Sequence, residues 1–365
     1  MSIRWEKLTG SDRARRGRLH TPHGPVETPA FMPVGTRASV KALDSGDLET
    51  LGAEMMLANT YHLMLRPGAE LIDRLGGLHG FAGWPQPMLT DSGGYQVFSL
   101  GPAVTEEGVA FKSTYDGDRV FLSPEGSVAV QQLLGADIAM QLDVLVGLPA
   151  PRPKLEAAME RTLRWGERSL AAHTRTDQAL FGIVQGGVDS KLRAASAAAT
   201  ASLGFAGFGI GGLSVGEGAE DRNRAIDATV AELPDGKVRY VMGLGDTEGV
   251  LDAIARGCDL FDCVWPTRLA RHGKVFTAAG DYSIKRAEYA EDERPLEEGC
   301  DCLACSRYSR AYLRHLKRTG ELAAQRLLSI HNLRYTMRLM SGVRDAIEHD
   351  RFEDFRAERA DRRSA

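Results

Sequence analysis

Three aspartates of this sequence stand at the ends of apolar runs, where a carboxylate can do chemistry. Asp262 interrupts the run LFDCVW at residues 260–265. Asp91 follows PMLT at residues 87–90, and Asp143 follows IAMQL at residues 138–142. An ionised carboxylate in apolar surroundings is costly unless it is paired or used. Two carboxylates at different strand ends can flank a reacting carbon, one as nucleophile and one as proton shuttle, as in retaining glycoside chemistry. The alternative is that Asp91 closes a turn or caps a helix, and that Asp143 is a strand-end N-cap.

A basic loop follows Asp262 directly. It contains Arg268, Arg271, His272 and Lys274, and a nucleophilic carboxylate beside such a loop indicates a polyanionic substrate with a glycosidic bond. The net charge of −4 argues against polyanion binding over the whole surface but permits a local basic patch. We therefore expect any nucleic-acid site to be local.

Three of the five cysteines, Cys300, Cys302 and Cys305, lie within six residues, and His331 follows on a predicted helix. Three thiolates and one imidazole complete a tetrahedral zinc shell of the structural type, with no position open for water. The alternative is three reduced surface thiols and an unrelated core histidine. The acid-free stretch 306–320 beside this cluster is either a solvated helix face or a grip on phosphates; its basic residues are Arg307, Arg310, Arg314, Lys317 and Arg318.

Eight short apolar runs must position these side chains. They end at Thr36, Thr60, Asp91, Asp143, Gly187, Gly212, Gly245 and Cys263. Amphipathic segments such as 153–173, 190–204 and 218–234 separate most of them, which predicts an α/β fold, a (β/α)8 TIM barrel, with a doubly wound open sheet as the alternative. Barrel active sites form at the C-terminal ends of strands, so one cavity should be shared by Asp91, Asp143, Gln185, Gly212, Met242 and Asp262.

Two regions depart from this repeat. Residues 1–30 predict a hairpin or cap, and residues 108–124 predict a hairpin insertion. We expect a catalytic barrel over 1–295 and a zinc-binding helical subdomain over 296–365. No run approaches the ~18 apolar residues of a membrane span, and the N-terminus lacks the apolar core of a secretory signal, so we expect a cytoplasmic protein without membrane contact.

Several stretches together resemble the tRNA-guanine transglycosylases of the queuine tRNA-ribosyltransferase family, in their bacterial form. They include TPAFMPVGTRASVKAL, NTYHLMLRPG, LTDSGGYQVFSL, GIVQGG, GIGGLSVGEG, FDCVWPTRLARHGKVFT and CDCLACSRYSRAYLRHL, spread over about residues 28 to 335. The resemblance implies a pentosyltransferase that acts on the tRNAs specific for Asp, Asn, His and Tyr. In these tRNAs it would exchange the guanine at the anticodon wobble position for another base. It also implies a double displacement through a covalent enzyme-RNA intermediate, in queuosine biosynthesis.

The resemblance also implies a role for each matching residue. Asp262 is implied as the nucleophile, and Asp91 as a general acid/base that also contacts the base. The implied base-binding set adds Tyr95 and Met242 against the ring, Asp143, Gln185 and Gly212 at its edge, and Leu213 and Glu217 near its 7-substituent. Arg268 and Arg271, with Lys274 beside them, are implied to contact RNA, and Cys300, Cys302, Cys305 and His331 to bind one structural zinc ion per subunit.

Two positions bear on the incoming base. Leu145 stands where many bacterial members have Cys, whereas Val215 is the bulkier residue typical of bacterial enzymes. A valine narrows the space beside the 7-position, which favours 7-aminomethyl-7-deazaguanine over queuine. The role of Cys263, next to Asp262, stays open, with packing as the simplest explanation.

Three other functions are considered. An archaeal-type enzyme that modifies the tRNA body would need an additional C-terminal region. A non-catalytic partner subunit of a heterodimer would bind tRNA without the carboxylates, and a zinc-stabilised hydrolase of small glycosides would leave the basic loop unexplained. The family further implies a homodimer bound to the anticodon stem-loop.

Overall fold

The central feature of the computed structural model, which describes residues 3–101 and 103–364, is a closed barrel of eight parallel strands. The described residues form sixteen strands in all, including those outside the barrel, and in chain order they are β1 (Arg4–Ser11), β2 (Ala14–Thr21), β3 (Gly24–Thr28), β4 (Ala30–Gly35), β5 (Met56–Ala58), β6 (Met88–Thr90), β7 (Ala103–Val104), β8 (Val109–Lys112), β9 (Arg119–Leu122), β10 (Ile138–Met140), β11 (Ala179–Val184), β12 (Gly207–Ile210), β13 (Val238–Val241), β14 (Leu260–Cys263), β15 (Lys274–Val275) and β16 (Tyr282–Ser283).

Helices connect the barrel strands and continue beyond them. They are α1 (Ser45–Leu51), α2 (Thr60–Leu65), α3 (Ala69–Arg74), α4 (Gly77–Ala82), α5 (Gly94–Ser99), α6 (Pro124–Leu134), α7 (Arg152–Ala172), α8 (Ser190–Ser202), α9 (Ala219–Val230), α10 (Thr247–Ala255), α11 (Trp265–Arg271), α12 (Leu303–Arg307), α13 (Arg310–Thr319), α14 (Leu322–Glu348) and α15 (Phe352–Ser364), with a 3-10 turn at Ala287–Tyr289.

The barrel confirms the predicted (β/α)8 fold. Its strand order is β4-β5-β6-β10-β11-β12-β13-β14, and each of the eight predicted apolar runs supplies one strand. The parallel pairing of β14 with β4, in which Asp262 lies opposite Met32, closes the ring. This closure excludes the doubly wound open sheet, because an open sheet would leave both strands as edges.

The barrel interior is a packed hydrophobic cluster that the N-terminal sheet closes at one end. Inward side chains such as Leu89, Met140 and Phe181 share this cluster with Trp5 and Leu19 from the sheet. Residues 1–30 were predicted as a hairpin or cap, and strands β1 to β3 form a three-stranded antiparallel cap. Since the cap covers the N-terminal ends of the strands, the opposite end is left for a site.

The predicted hairpin insertion is β8 paired with β9, and β7 adds a third strand that the sequence did not indicate. The insertion packs on the barrel through a cluster that includes Phe111, Leu142 and Trp165.

The C-terminal segment packs on the barrel through α14, which contacts β4, α1 and α11. One hydrophobic cluster contains side chains from both sides of residue 295, among them Phe261, Val275 and Leu328. The boundary at 295/296 stays a prediction. Within residues 3–101 and 103–364, no helix is both long and apolar enough to cross a lipid bilayer.

Candidate active site and metal centre

The C-terminal ends of the barrel strands bring the three predicted carboxylates to one end of the barrel. Asp262 lies within β14, Asp91 follows β6 directly, and Asp143 is the third residue after β10. The negative charge of Asp262 contributes to the pKa of Asp91, so these two carboxylates interact electrostatically. Asp143 lies beside the turn that follows Asp91, because a Cβ built on Gly94 would lie 2.8 Å from Asp143 Oδ1.

Asp262 is held by one of its two oxygens. Tyr240 Oη donates to Asp262 Oδ1 at 2.5 Å, and Gly243 N donates to the same oxygen at 2.8 Å. No residue in the described part of the chain donates a hydrogen bond to Oδ2. Burial raises the pKa of Asp262, and the two donors oppose that effect. The result is a fixed carboxylate with one oxygen left for attack, as a nucleophile requires.

Asp91 is held more completely. Its Oδ1 accepts from Thr60 N at 3.0 Å and from Gly93 N at 3.1 Å, and its Oδ2 accepts from Asn59 Nδ2. Burial, together with the charge of Asp262, raises the pKa of Asp91 to about 7. A carboxylic acid with that pKa can both give and take a proton near neutral pH. The environments of Asp91 and Asp262 therefore suit an acid/base role and a nucleophilic role respectively.

The predicted base-edge residues form one hydrogen-bonded group. Gln185 Nε2 donates to Asp143 Oδ2 at 2.6 Å, and burial raises the pKa of Asp143 to about 6. Gly212 has φ +67°, and a Cβ there would lie 2.2 Å from Gln185 Oε1, so only glycine fits beside that amide. These residues present a polar edge of fixed geometry at the ends of β10, β11 and β12.

The residues predicted to lie against the base differ in exposure. Tyr95, at the start of α5, is 61% exposed and so offers an open aromatic face. Met242, just after β13, is partly buried and packs against the barrel-interior cluster. Leu213 is buried, and the carboxylate of Glu217 accepts hydrogen bonds from Ser214 N and Val215 N. Glu217 thus holds its own loop in place.

The predicted basic loop begins on α11, the helix that follows Asp262, and Arg268 and Arg271 lie on that helix. Arg268 is exposed and Arg271 is partly buried, and neither has an ion pair with a described carboxylate. Arg271 Nη1 is buried without a hydrogen-bond partner among the described residues. Lys274 Nζ, in contrast, lies 3.3 Å from Asp281 Oδ2. The two arginines are therefore available to an anion, whereas Lys274 is partly neutralised.

The basic stretch 306–320 is less available than its composition suggested. Arg310 donates to Asp292 Oδ2 at 3.0 Å and to Leu296 O at 3.1 Å. Arg314 Nε donates to Arg286 O at 2.8 Å. These two residues serve the fold of the segment, because their guanidinium groups already have internal acceptors.

Cys300, Cys302, Cys305 and His331 converge into one cluster that could hold a metal ion. The three sulfur atoms lie 3.7, 3.7 and 3.3 Å from His331 Nδ1. His331 Nε2 is 2.9 Å from Phe276 O, which fixes that nitrogen as the protonated one and leaves Nδ1 for the metal. The donor set of three thiols and one imidazole nitrogen, largely buried, fits a closed tetrahedral site.

Asn332 connects the cysteine cluster to the basic loop. Its Oδ1 accepts from Phe276 N at 2.9 Å, and its Nδ2 donates to Pro266 O at 3.0 Å and to Lys274 O at 3.1 Å. The helix that carries His331 therefore holds both ends of the segment that contains Arg268.

Sequence reasoning missed four residues of this site. Tyr240 and Asn59 donate hydrogen bonds to Asp262 and Asp91 respectively, and buried Arg193 donates to Val184 O at 3.1 Å and Gly211 O at 2.8 Å. Trp265 is 45% exposed at the start of α11. A signal existed for Tyr240, since it alternates with Met242 along one strand and must face the same side.

A family model described as "Queuine tRNA-ribosyltransferase" matches residues 11–365. A protein of that name from Thermus thermophilus is 53% identical over 363 residues, covering 99% of this chain and 94% of the relative. Relatives with the same name from Desulforamulus reducens and Herpetosiphon aurantiacus are 50% and 52% identical, covering 98% and 94% of this chain and 97% and 88% of their own lengths.

Proposed function

This chain belongs to the queuine tRNA-ribosyltransferase family, and from that premise we propose that it exchanges guanine at the tRNA wobble position through a covalent bond to Asp262. It is a pentosyltransferase of the tRNA-guanine transglycosylase class. The proposal rests on the different environments of Asp262 and Asp91. One oxygen of Asp262 accepts both of its hydrogen bonds and leaves the other free, whereas the pKa of Asp91 is raised to about 7. A non-catalytic partner subunit would have no need of such a pair.

Asp262 and Asp91 together can carry out both steps of the exchange. Asp262 Oδ2 attacks C1′ of the wobble nucleoside, the glycosidic bond breaks, and its electron pair leaves with guanine. Protonated Asp91 supplies the proton that neutralises the departing base. The incoming base then returns a proton to Asp91 and attacks C1′, which releases the Asp262 carboxylate.

The base would be recognised once it has left its stack in the anticodon loop. Asp143, Gln185 and Gly212 present the polar edge, while Tyr95 and Met242 cover the two faces of the ring. A flipped base is read by hydrogen bonds to its edge and by stacking. The exposure of Tyr95 supports this role, because an open aromatic face has no internal partner to displace.

Arg268 and Arg271 would bind phosphates next to the target nucleotide, and Lys274 would contribute less because Asp281 accompanies it. Cys300, Cys302, Cys305 and His331 would hold one zinc ion. When bound, the ion would supply a structural crosslink. Asn332, the next residue after His331, holds the basic loop through its hydrogen bonds to Pro266 O and Lys274 O.

We further propose 7-aminomethyl-7-deazaguanine as the incoming base and tRNAs for Asp, Asn, His and Tyr as substrates. Val215 supports this choice over queuine, because its partly buried side chain occupies space in the loop that Glu217 fixes. We also propose that the protein is cytoplasmic and forms a homodimer. In a homodimer one subunit can position the tRNA on which the other acts.

To test the proposal, the protein is incubated with an unmodified tRNA for Asp, Asn, His or Tyr. The mixture contains equimolar 7-aminomethyl-7-deazaguanine and queuine, each with a different label. The aminomethyl base should appear at the wobble position, and Asp262→Asn should abolish both exchange and the covalent adduct while still binding tRNA. Faster queuine uptake would refute the base assignment. An adduct that persists in the variant would refute the nucleophile.

A further inference from the structure

A second group of potential metal ligands lies at the opposite end of the barrel from Asp91, Asp143 and Asp262. His23 is in the turn between β2 and β3, His79 is in α4, and Asp137 immediately precedes β10. One ligand atom from each lies within 4.8 Å of the others. The exchange reaction uses none of the three, because they lie beside the N-terminal ends of the strands.

These three side chains make three close contacts in a triangle. His23 Nδ1 is 2.9 Å from Asp137 Oδ1, and His79 Nε2 is 3.2 Å from Asp137 Oδ2. The two imidazole nitrogens are themselves 3.0 Å apart. Each contact joins atoms that can carry a lone pair.

Protons alone cannot satisfy all three contacts between neutral imidazoles and a carboxylate. A neutral imidazole has one N–H and one lone pair. If both facing nitrogens of His23 and His79 are protonated, two N–H groups oppose each other at 3.0 Å. If either is unprotonated, its lone pair faces an oxygen of Asp137. A cation between them removes the conflict, since both imidazole nitrogens and a carboxylate oxygen of Asp137 can donate electron pairs to it.

We propose that His23, His79 and Asp137 hold a divalent transition-metal ion, best matched by Zn²⁺, at the N-terminal end of the barrel. Two imidazoles and a carboxylate are a common donor set for zinc, with a water molecule as the fourth ligand. Ligand atoms of a tetrahedral zinc site lie roughly 3.4 Å apart, so the two imidazole nitrogens, now 3.0 Å apart, need to separate by only tenths of an ångström. The His23 side chain is 39% exposed, which leaves a side for water.

The surroundings of Asp137 fit a ligand that is held in advance. Its side chain is fully buried, and Met88 N donates to Oδ2 at 2.8 Å while His23 N approaches Oδ1 at 3.3 Å. Such outer hydrogen bonds orient ligating carboxylates. The nearby cation Arg175 makes two hydrogen bonds to Asp177, at 2.9 and 2.7 Å, so its charge is compensated. An ion here crosslinks the cap sheet, α4 and the start of β10.

The first test counts metal. The whole protein is equilibrated with Zn²⁺, loosely bound ions are removed, and the metal per chain is measured by mass spectrometry. We expect two ions per chain, one for each ligand group, and one ion after His23→Gln. The matched control is His20→Gln in the same sheet, where the imidazole pairs with Glu6 at 2.8 Å, and it should keep both ions. One ion in the unaltered protein, or equal loss in the two variants, would overturn the proposal.

A spectroscopic measurement on the unaltered protein does not depend on whether His23→Gln folds. Co²⁺ replaces zinc in the unaltered protein, and the cysteine cluster then gives intense thiolate-to-metal absorption. The second equivalent of Co²⁺ should add only weak visible bands, because the His23 site has no sulfur. Absence of a second equivalent, or further thiolate absorption with it, would contradict the assignment.

Discussion

Replacing Tyr240 by phenylalanine should shift the acid limb of the exchange reaction to higher pH. The change removes one oxygen from a fully buried ring and with it the 2.5 Å hydrogen bond to Asp262 Oδ1. That bond lowers the pKa of Asp262 against the effect of burial. Without it the carboxylate protonates at a higher pH, and only the ionised form can attack.

The size of the shift follows from the strength of the lost bond. A hydrogen bond to a charged group contributes about 1.5–3 kcal/mol, and one pKa unit corresponds to about 1.4 kcal/mol. The acid limb should therefore move up by roughly 1–2 pH units, with a rate loss of about 10- to 100-fold below it. The alkaline limb, where Asp91 with its pKa of about 7 loses its proton, should move little.

The assay is single-turnover release of labelled guanine from tRNA, followed across the pH range. The control is Tyr335→Phe, which also removes a hydroxyl from a buried ring, but one whose partner is the neutral hydroxyl of Thr247 at 3.3 Å. Thermal unfolding of both variants establishes that they are folded. An acid limb that stays at the same pH in folded Tyr240→Phe would refute the claim that Tyr240 sets the charge of Asp262. An equal rate loss at every pH would refute it as well.

Two other substitutions probe the base edge and the RNA contact. Gly94→Ala places a Cβ 2.8 Å from Asp143 Oδ1 and should raise the KM for the base by about 5- to 150-fold, as strain of about 1–3 kcal/mol implies. Gly218→Ala, where a Cβ meets nothing within 4 Å, should leave the KM unchanged, and equal KM values in the two variants would count against the packing argument. Arg268→Ala should weaken tRNA binding and reduce the slope of log affinity against log salt by about 1. Lys274→Ala, whose ammonium already faces Asp281, should reduce that slope less, and the reverse ranking in a salt titration would contradict the phosphate assignment.

The fold and the ligand types were readable from local sequence. Each barrel strand is a short apolar run, and a strand that is buried on both faces can be recognised from its own residues alone. Asp262 stood out because a carboxylate inside such a run is costly. The cysteine cluster was equally local, with three thiols within six residues. The sequence predicted a hairpin or cap over residues 1–30 and a hairpin over residues 108–124, but not β7, which is only two residues long.

Tertiary structure alone decided how each group is held. Tyr240 and Asp262 are 22 residues apart, Gln185 and Asp143 are 42 apart, and His23 and Asp137 are 114 apart. Which oxygen is anchored and which is free depends on the order and register in which the strands close into a ring, and no local pattern encodes that register. Burial at the strand ends likewise sets the pKa of Asp91 near 7, since desolvation is a property of the surrounding fold. The sequence by itself determined which chemical groups are present and on which elements they lie, and closure of the barrel determined their hydrogen bonds, their charge and their neighbours.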